Sequence, residues 1–340
     1  MKRTLSALLL LALASCKSQP PAPTAATTAT PASRGVKVGL VFDIGGRGDN
    51  SFNDSASRGL ERAKNELGAT VEVLEPGDGS DRESALRQLA SKNLDIVFGV
   101  GFLFTDDVLS VAKDFPGVKF ACVDFTVDPA KPIPPNVVAL KFKEEEGSYL
   151  VGALAALVSK THKVGFVGGM EIPLIKKFEA GYKAGVRAID PKAEVLVKYA
   201  GVTGEAFKNP AKGKELALAI YAQGADVIFH ASGSTGQGVF GAAQDRKKLA
   251  IGVDSDQQSL APGSVLTSMV KQVDVAVFDE IAAVKNGKFS GGVRTFDLAS
   301  GGVGYVYDEK NKSLVPDAAH ARVEELKAKI VAGEIKVPYE

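Results

Sequence analysis

The feature that most constrains this 340-residue chain is that its body is written twice. Val38-Gly39-Leu40-Val41 matches Val164-Gly165-Phe166-Val167, and Asp95-Ile96-Val97-Phe98 matches Asp226-Val227-Ile228-Phe229. Ala121-Cys122-Val123-Asp124 in turn matches Ile251-Gly252-Val253-Asp254. The offsets are 126, 131 and 130 residues, so three apolar runs recur in order at nearly constant spacing. Runs at 36–42, 71–74, 96–100 and 118–123 read as buried strands, and the stretches 53–67, 82–92 and 105–114 between them carry helical periodicity. Strand and helix in alternation specify a parallel sheet with crossover helices. Its duplication predicts an α/β protein of two lobes, each a parallel sheet flanked by helices.

Open parallel sheets bind ligands outside the carboxyl ends of their strands. Two facing lobes would share those ends in one cleft, lined from segments 43–52, 99–104, 124–126, 168–172, 230–238 and 254–257. Downstream, 265–270 reads as a strand and 274–286 as a helix that return to the first lobe, while 302–307 and 318–332 finish the fold. The expected first lobe is therefore 35–142 plus 257–290, and the second 143–256 plus 291–340. Crossings near 125–142, 255–264 and 288–296 make a hinge of several segments, suited to a clamshell.

The amino terminus reads as an address. Lys2 and Arg3 precede a short apolar run from Leu5 to Leu13, so residues 1–15 are a secretory signal, too short to span a bilayer as a mature helix. Leu13-Ala14-Ser15-Cys16 is a lipobox, which makes Cys16 the lipidated first residue of the mature protein. Residues 16–34, rich in Pro, Ala and Thr, form a tether without the apolar side chains to pack. Extended, it reaches at most about 60 Å. The predicted location is outside the cytoplasm, on a membrane through lipid, away from cytoplasmic ATP or NAD chemistry.

Composition excludes several classes. Lys plus Arg is 41 against 40 Asp plus Glu, without the basic excess of a nucleic-acid binder. Two cysteines cannot make a disulfide framework for a chain this long, and Cys122, in an apolar run, reads as an inert core thiol. His162, His230 and His320 stand far apart without partners at ligand spacing, so no metal is expected. There is no Walker A stretch, and Gly46-Arg47-Gly48-Asp49-Asn50-Ser51 stops one glycine short of a dinucleotide loop. No cofactor is predicted.

What the strand ends do carry is acceptors. Asp43, Asp49 and Asn50 lie in the loop after the first strand, and Asp124 and Asp254 hold equivalent places in the two halves. Asp43 can also be read as a cap. Phe52 either covers a ligand face or acts as a hydrophobic staple. Lys271 either neutralises one aspartate while donating to a hydroxyl, or starts a helix as an exposed lysine. Several carboxylates with few cations imply a ligand rich in N–H and O–H donors and without net negative charge. A phosphate or free carboxylate would call for Arg and helix N-termini instead.

With the lipobox, Asp49-Asn50-Ser51-Phe52-Asn53, Gly165-Phe166-Val167-Gly168-Gly169, Gly236-Gln237-Gly238-Val239, Ile251-Gly252-Val253-Asp254-Ser255-Asp256-Gln257 and Thr267-Ser268-Met269-Val270-Lys271, residues 36–310 resemble the basic membrane protein family of lipoproteins. Its purine nucleoside receptor is the substrate-binding component of an ABC importer. The resemblance implies a two-lobed type I periplasmic-binding-protein fold, with an ABC permease and ATPase as partners. It implies a purine held between two rings, Phe52 and Phe229, with Phe178 as a substitute for the second. It assigns Asp43 and Asp124 to the base, with Asp49 and Asn50 nearby, and Gly236, Asp254 and Lys271 to the ribose. Ser232 and Ser234 depart from the Ala or Gly common in that stretch of the family. Two other readings compete: an extracytoplasmic hydrolase pairing Asp43 and Asp124 as acid and base, and a small-molecule sensor on the same scaffold. A DNA-binding regulator of the same fold class is disfavoured, because a lipobox and no helix-turn-helix precedes Val36.

Overall fold

Strand Lys37–Val41 (β1) seeds the first sheet, with every residue after Lys37 buried. The computed structural model describes residues 35–77 and 80–340; the signal, lipidation and tether readings at 1–34 lie outside them. After β1 come helix Phe52–Leu67 (α1), strand Thr70–Leu74 (β2), helix Arg82–Ala90 (α2), strand Ile96–Val100 (β3) and helix Thr105–Asp114 (α3). Strands Lys119–Val123 (β4) and Val137–Phe142 (β5) complete the first run. Helix Glu144–Val158 (α4) then leads into Lys163–Met170 (β6), Pro173–Ile189 (α5), Glu194–Gly201 (β7), Pro210–Ala222 (α6) and Val227–Ala231 (β8). Gly236–Arg246 (α7), Leu249–Asp254 (β9), Val265–Lys271 (β10), Val273–Lys285 (α8), Gly292–Phe296 (β11), Val303–Tyr305 (β12) and Asp317–Val331 (α9) follow. Among the described residues no helix is long and apolar enough to cross a membrane.

The strands form two six-stranded sheets, β11-β5-β4-β3-β1-β2 and β12-β10-β9-β8-β6-β7. Position for position, β1 to β5 stand in the first sheet where β6 to β10 stand in the second. All pairings are parallel except β12 against β10. The two-lobed α/β architecture expected from the repeated runs is therefore present.

One expectation is corrected. β10 does not return to the first lobe: it pairs with β9, Val265 opposite Ala250 and Val270 opposite Asp254. The first lobe regains the chain one element later. There α8 packs on α1, with Ser55 Oγ accepting from Asp274 N at 3.2 Å, and β11 pairs with β5. The physical reason is the duplication. β10 is the second copy of β5, and each copy completes its own sheet before the chain leaves it. The crossings fall at Lys143, Gln272 and residues 297–302, immediately beyond strand ends rather than at 255–264 and 288–296. The first lobe is thus 35–142 with 273–296, and the second 144–271 with 303–340.

Crossing right after a strand's carboxyl end puts the hinge on the floor of the cleft, where the candidate residues gather. Its geometry depends on how closely α4 and α5 approach, because α4 begins with Glu144 and Glu145 and α5 carries Lys177 and Phe178. The two helices touch backbone to backbone. A Cβ at Gly181 would lie 2.2 Å from Glu145 O, and one at Gly185 2.0 Å from Tyr149 O. Gly185→Ala adds that Cβ, and overpacking of about 1–3 kcal/mol or more outweighs the roughly 1 kcal/mol that alanine otherwise gains in a helix interior. The urea midpoint should fall; a midpoint at or above wild type would mean that α4 and α5 can part without cost.

Candidate functional site

Asp124 and Asp254 stand at the ends of β4 and β9 with φ of +60° and +63°. Such backbone is uncommon outside glycine. Its occurrence at the same station of both lobes turns each carboxylate off its strand and into the cleft. Asp43, just after β1, donates its N–H to Asn53 Oδ1 at 3.0 Å. Gly101 makes room for its carboxylate: with φ of +109°, a Cβ there would lie 2.2 Å from Asp43 Oδ2.

These residues share one cavity between the lobes, about 620 Å³ of space not filled by protein atoms when the open solvent at its mouth is included. Four rings line it: Phe52 and Phe102 from the first lobe, Phe178 and Phe207 from the second. Asp43, Asp49, Asp124 and Asp254 line it as well, and Lys271 is the only cation to do so among the described residues. Besides the Lys271–Asp124 pair, two contacts between the lobes flank it. At one, Phe102 and Phe207 touch edge to face with ring centroids 6.4 Å apart. At the other, the turn ahead of α1 is joined to the second lobe by polar contacts. Ser51 Oγ donates to Asp254 Oδ2 at 2.6 Å, and Ser255 Oγ donates to Ser51 O at 3.0 Å.

An account of carboxylate oxygens shows which can serve a ligand. Asp49 accepts from the N–H groups of Ser51, Asn53 and Asp54 at 2.8–3.1 Å and from Asn53 Nδ2 at 3.2 Å. It therefore caps α1, which has no side-chain cap at Ser51. Burial raises its pKa and those three N–H groups pull it back. Both oxygens of Asp124 lie on Lys271 Nζ, at 2.6 and 2.7 Å. Asp254 gives Oδ2 to Ser51, and Asp43 gives Oδ1 to Ile44 N at 2.8 Å. Among the described residues no hydrogen bond reaches Asp43 Oδ2 or Asp254 Oδ1. Burial pushes Asp43 up to about 7 and Asp254 to about 6, the latter against the pull of Lys271 and Ser51.

Behind the cavity runs a ladder of charges. Lys271 Nζ lies 3.0 Å from Glu144 Oε1 as well as on Asp124. Lys177 bridges the other oxygen of Glu144 to Glu145, 3.2 Å from its Oε2. Burial alone would neutralise Lys271, but Asp124, Glu144 and Asp254 hold its ammonium charged well above the ordinary lysine range. The rings of Phe142, Phe52 and Phe178 surround it, with centroids 4.9, 5.2 and 5.7 Å from Nζ.

Of the residues expected from sequence, Asp43, Asp49, Phe52, Asp124, Asp254 and Lys271 line the cavity. Phe229 does not. It is fully buried in the middle of β8, packed on Tyr182 and Phe166 with centroids 5.3 and 5.6 Å away, and cannot stack on a ligand. Phe178, its named substitute, does face the cavity. Gly236 lies behind the wall, where a Cβ would sit 1.9 Å from the His230 ring. Asn50 is exposed, with φ of +53°, and its carbonyl rather than its side chain meets the second lobe. Phe102, Phe207 and Glu144 were missed. Phe102 falls in a strand-end segment already flagged. Phe207 follows an edge strand, and Glu144 opens a run of three glutamates that reads as ordinary helix N-terminal charge.

A family model described as ABC transporter substrate-binding protein PnrA-like (Bmp) matches residues 36–340. The CD4+ T-cell-stimulating antigen of Listeria monocytogenes is 38% identical over 328 aligned positions, covering 90% of this chain and 89% of its own. The ABC transporter nucleoside-binding protein BmpA of Lactococcus lactis subsp. cremoris is 33% identical, covering 99% of both chains. A crystal structure of an ABC transporter solute-binding protein from Aeropyrum pernix K1 superposes with a TM-score of 0.81 at 31% identity, covering 90% of this chain and 94% of that one.

Lys271→Met leaves Asp124 as a buried carboxylate without its ion-pair partner, and Glu144 with Lys177 alone among the described residues. A stability loss of about 3–5 kcal/mol is expected in urea unfolding, partly recovered by adding Asp124→Asn; an unchanged midpoint would show that water reaches the ladder. Asp43 and Asp254 act in the opposite sense. Their folded pKa values lie above the unfolded ones, so their contribution is fully present below about pH 4 and is lost as pH rises through 6–7. Asp43→Asn should therefore raise the melting temperature of protein without added ligand at pH 7.5 and leave it unchanged at pH 4. An equal shift at both pH values would refute the buried-charge account.

Proposed function

The chain belongs to the Bmp family of PnrA-like ABC transporter substrate-binding proteins, and we propose that it binds a purine nucleoside between its lobes and delivers it to a membrane permease driven by an ATPase. The observation that carries this reading is the pairing of four phenylalanine rings with two free carboxylate oxygens, in a cavity where Lys271, the one cation among the described lining residues, is already neutralised. Rings offer stacking faces, worth about 1–3 kcal/mol per base in nucleic-acid binders. Asp43 Oδ2 and Asp254 Oδ1 offer strong acceptors, each hydrogen bond to a charged group contributing roughly 1.5–3 kcal/mol. A flat heterocycle with N–H donors, joined to a sugar with O–H donors, uses both kinds of wall. A nucleotide would bring phosphate into a site whose open positions are anionic.

Phe52, with Phe178 or Phe207 facing it from the second lobe, takes the base in this reading. Asp43 reads the base and Asp254 the ribose. Lys271 holds Asp124 and stabilises the floor: Asp124 Oδ2 accepts its hydrogen bond, and Oδ1, buried 2.6 Å from the ammonium, has no other partner among the described residues. That arrangement also weighs against acid–base chemistry by an Asp43–Asp124 pair, since one partner is tied to an ammonium. The lipobox at Cys16 places the receptor on a membrane surface, tethered by residues 16–34.

Calorimetry with inosine, guanosine, adenosine and pyrimidine nucleosides tests the ligand class. A purine nucleoside should bind with a Kd well under about 100 µM, and Phe52→Ala should weaken it by about 1–3 kcal/mol. Ligand donors favour the ionised carboxylate, so binding should lower the pKa of Asp43, release protons near pH 7 and tighten as pH rises from 5 to 8. No purine nucleoside binding under about 100 µM would reject the class, and pH-independent affinity would remove Asp43 from the contact.

A further inference from the structure

Ser232 faces the cavity from the end of β8 with 1% of its surface exposed. Behind it lies a file of polar groups. Ser232 Oγ is 3.3 Å from His230 Nδ1, and His230 Nε2 is 3.1 Å from Gln257 Oε1. Gln257 Nε2 donates at 3.0 Å to Asn50 O, which belongs to the other lobe.

We propose that Ser232, His230 and Gln257 are positioning residues that couple a ligand hydroxyl at the cavity wall to the polar seam joining the two lobes. The direction of every bond follows from its ends. Val253 N also donates to Gln257 Oε1, at 2.8 Å, so the oxygen of that amide faces His230 and its NH2 faces Asn50. His230 must then carry its proton on Nε2, which leaves Nδ1 as an acceptor for the Ser232 hydroxyl. The Ser232 hydrogen points inward, and its oxygen lone pairs are left for a donor in the cavity. A ligand O–H that donates there completes a file of donors running one way into the first lobe, and bonds in such a file strengthen one another.

The surroundings keep the file intact. The His230 ring packs edge to face on Phe240, with centroids 5.1 Å apart, and against Gly236, where no side chain fits. Burial lowers its pKa to about 4, so it stays neutral and keeps Nδ1 as an acceptor at physiological pH. The seam it feeds holds further bonds, among them Ser51 Oγ to Val253 O at 3.3 Å. Ser51 bonds Asp254, Ser255 bonds Ser51 O, Arg58 Nη2 bonds Ser255 Oγ at 3.0 Å, and Gln237 Nε2 bonds Asp49 O at 3.4 Å. Ser232 touches none of them directly, which makes it the informative position.

The proposal rests on a hydroxyl-bearing ligand, so the test has one arm without ligand and one with inosine. In hydrogen exchange of the full chain without added nucleoside, Ser232→Ala should speed exchange in peptides covering 49–55 about threefold, as Gln257→Leu does more strongly; Ser232→Thr should restore wild-type exchange. With inosine, Ser232→Ala should raise the dissociation rate about tenfold with association changed less than about twofold. Unchanged exchange at 49–55 in Ser232→Ala, with protection lost only around 230–240, would overturn the coupling. If wild-type protein binds none of inosine, guanosine and adenosine, the nucleoside reading falls, and the exchange arm still decides whether the file reaches the first lobe.

Discussion

The site depends on one desolvated ammonium. Removing a lysine from water costs several kcal/mol, and the attraction of its partners repays this only with near-complete hydrogen bonding. Lys271 is compensated by three carboxylate oxygens within 3.0 Å, one of them, Asp124 Oδ2, through a hydrogen bond, and by the faces of three rings. Those oxygens come from different parts of the chain. Asp124 ends β4 in the first lobe, Glu144 starts α4 just after the first crossing, and Lys271 ends β10 just before the second. A single buried charge therefore fixes the strand ends of both lobes and the hinge between them at once. Hinge and binding site are one piece of structure, which is why a change at the ladder should be felt by the cavity and by the fold together.

The same ion pairs decide what the cavity selects. A lysine facing a cleft ordinarily invites an anion, but here its charge is already spent on Asp124 and Glu144. The cavity presents the remaining acceptors, Asp43 Oδ2 and Asp254 Oδ1, to the ligand. Both carboxylates sit above their usual range because burial disfavours their charge. A ligand that supplies N–H or O–H donors relieves that strain, and one that supplies more negative charge deepens it. The proposed preference for neutral, donor-rich molecules would thus follow from desolvation and from which oxygens the protein keeps for itself.

Much of this was legible in the sequence because strands and strand ends are local features. The repeated apolar runs specified two sheets, and the acidic residues after them fell into the cleft because parallel strands end there. The lobe assignment of β10 was missed even though it continues the repeat. Sequence order suggests that a chain which has finished its second copy goes home, whereas the crossing follows the fifth strand of each copy. Phe229 was misplaced because β8 is buried on both faces, so alternation gives no sign of which ring faces what. Its mid-strand position, three residues before Ser232, already keeps it from the cleft. Phe207 left no local sign at all. Its turn at Gly204–Phe207 is placed by Ser234 Oγ on Phe207 O at 3.1 Å and Thr235 Oγ on Ala206 O at 2.8 Å, contacts made 27 and 29 residues along the chain.

The two contacts that flank the cavity differ in kind, and the difference bears on how the cleft opens. At the lip Phe102 and Phe207 meet edge to face, worth about 0.5–1.5 kcal/mol beyond burial, and Ile44 and Leu103 lie against Gly204. At the turn before α1 the lobes share several hydrogen bonds, each contributing about 1 kcal/mol and each leaving a desolvated group behind if broken before water arrives. Parting the apolar lip exposes stacking faces and strands no hydrogen-bonding group among the described residues, whereas parting the polar seam does. A flat ligand arriving there meets rings before it meets carboxylates. In the proposed reading its hydroxyls reach Asp254 and Ser232 as the lobes come together, so the discriminating polar contacts would form in the step that draws the seam tight.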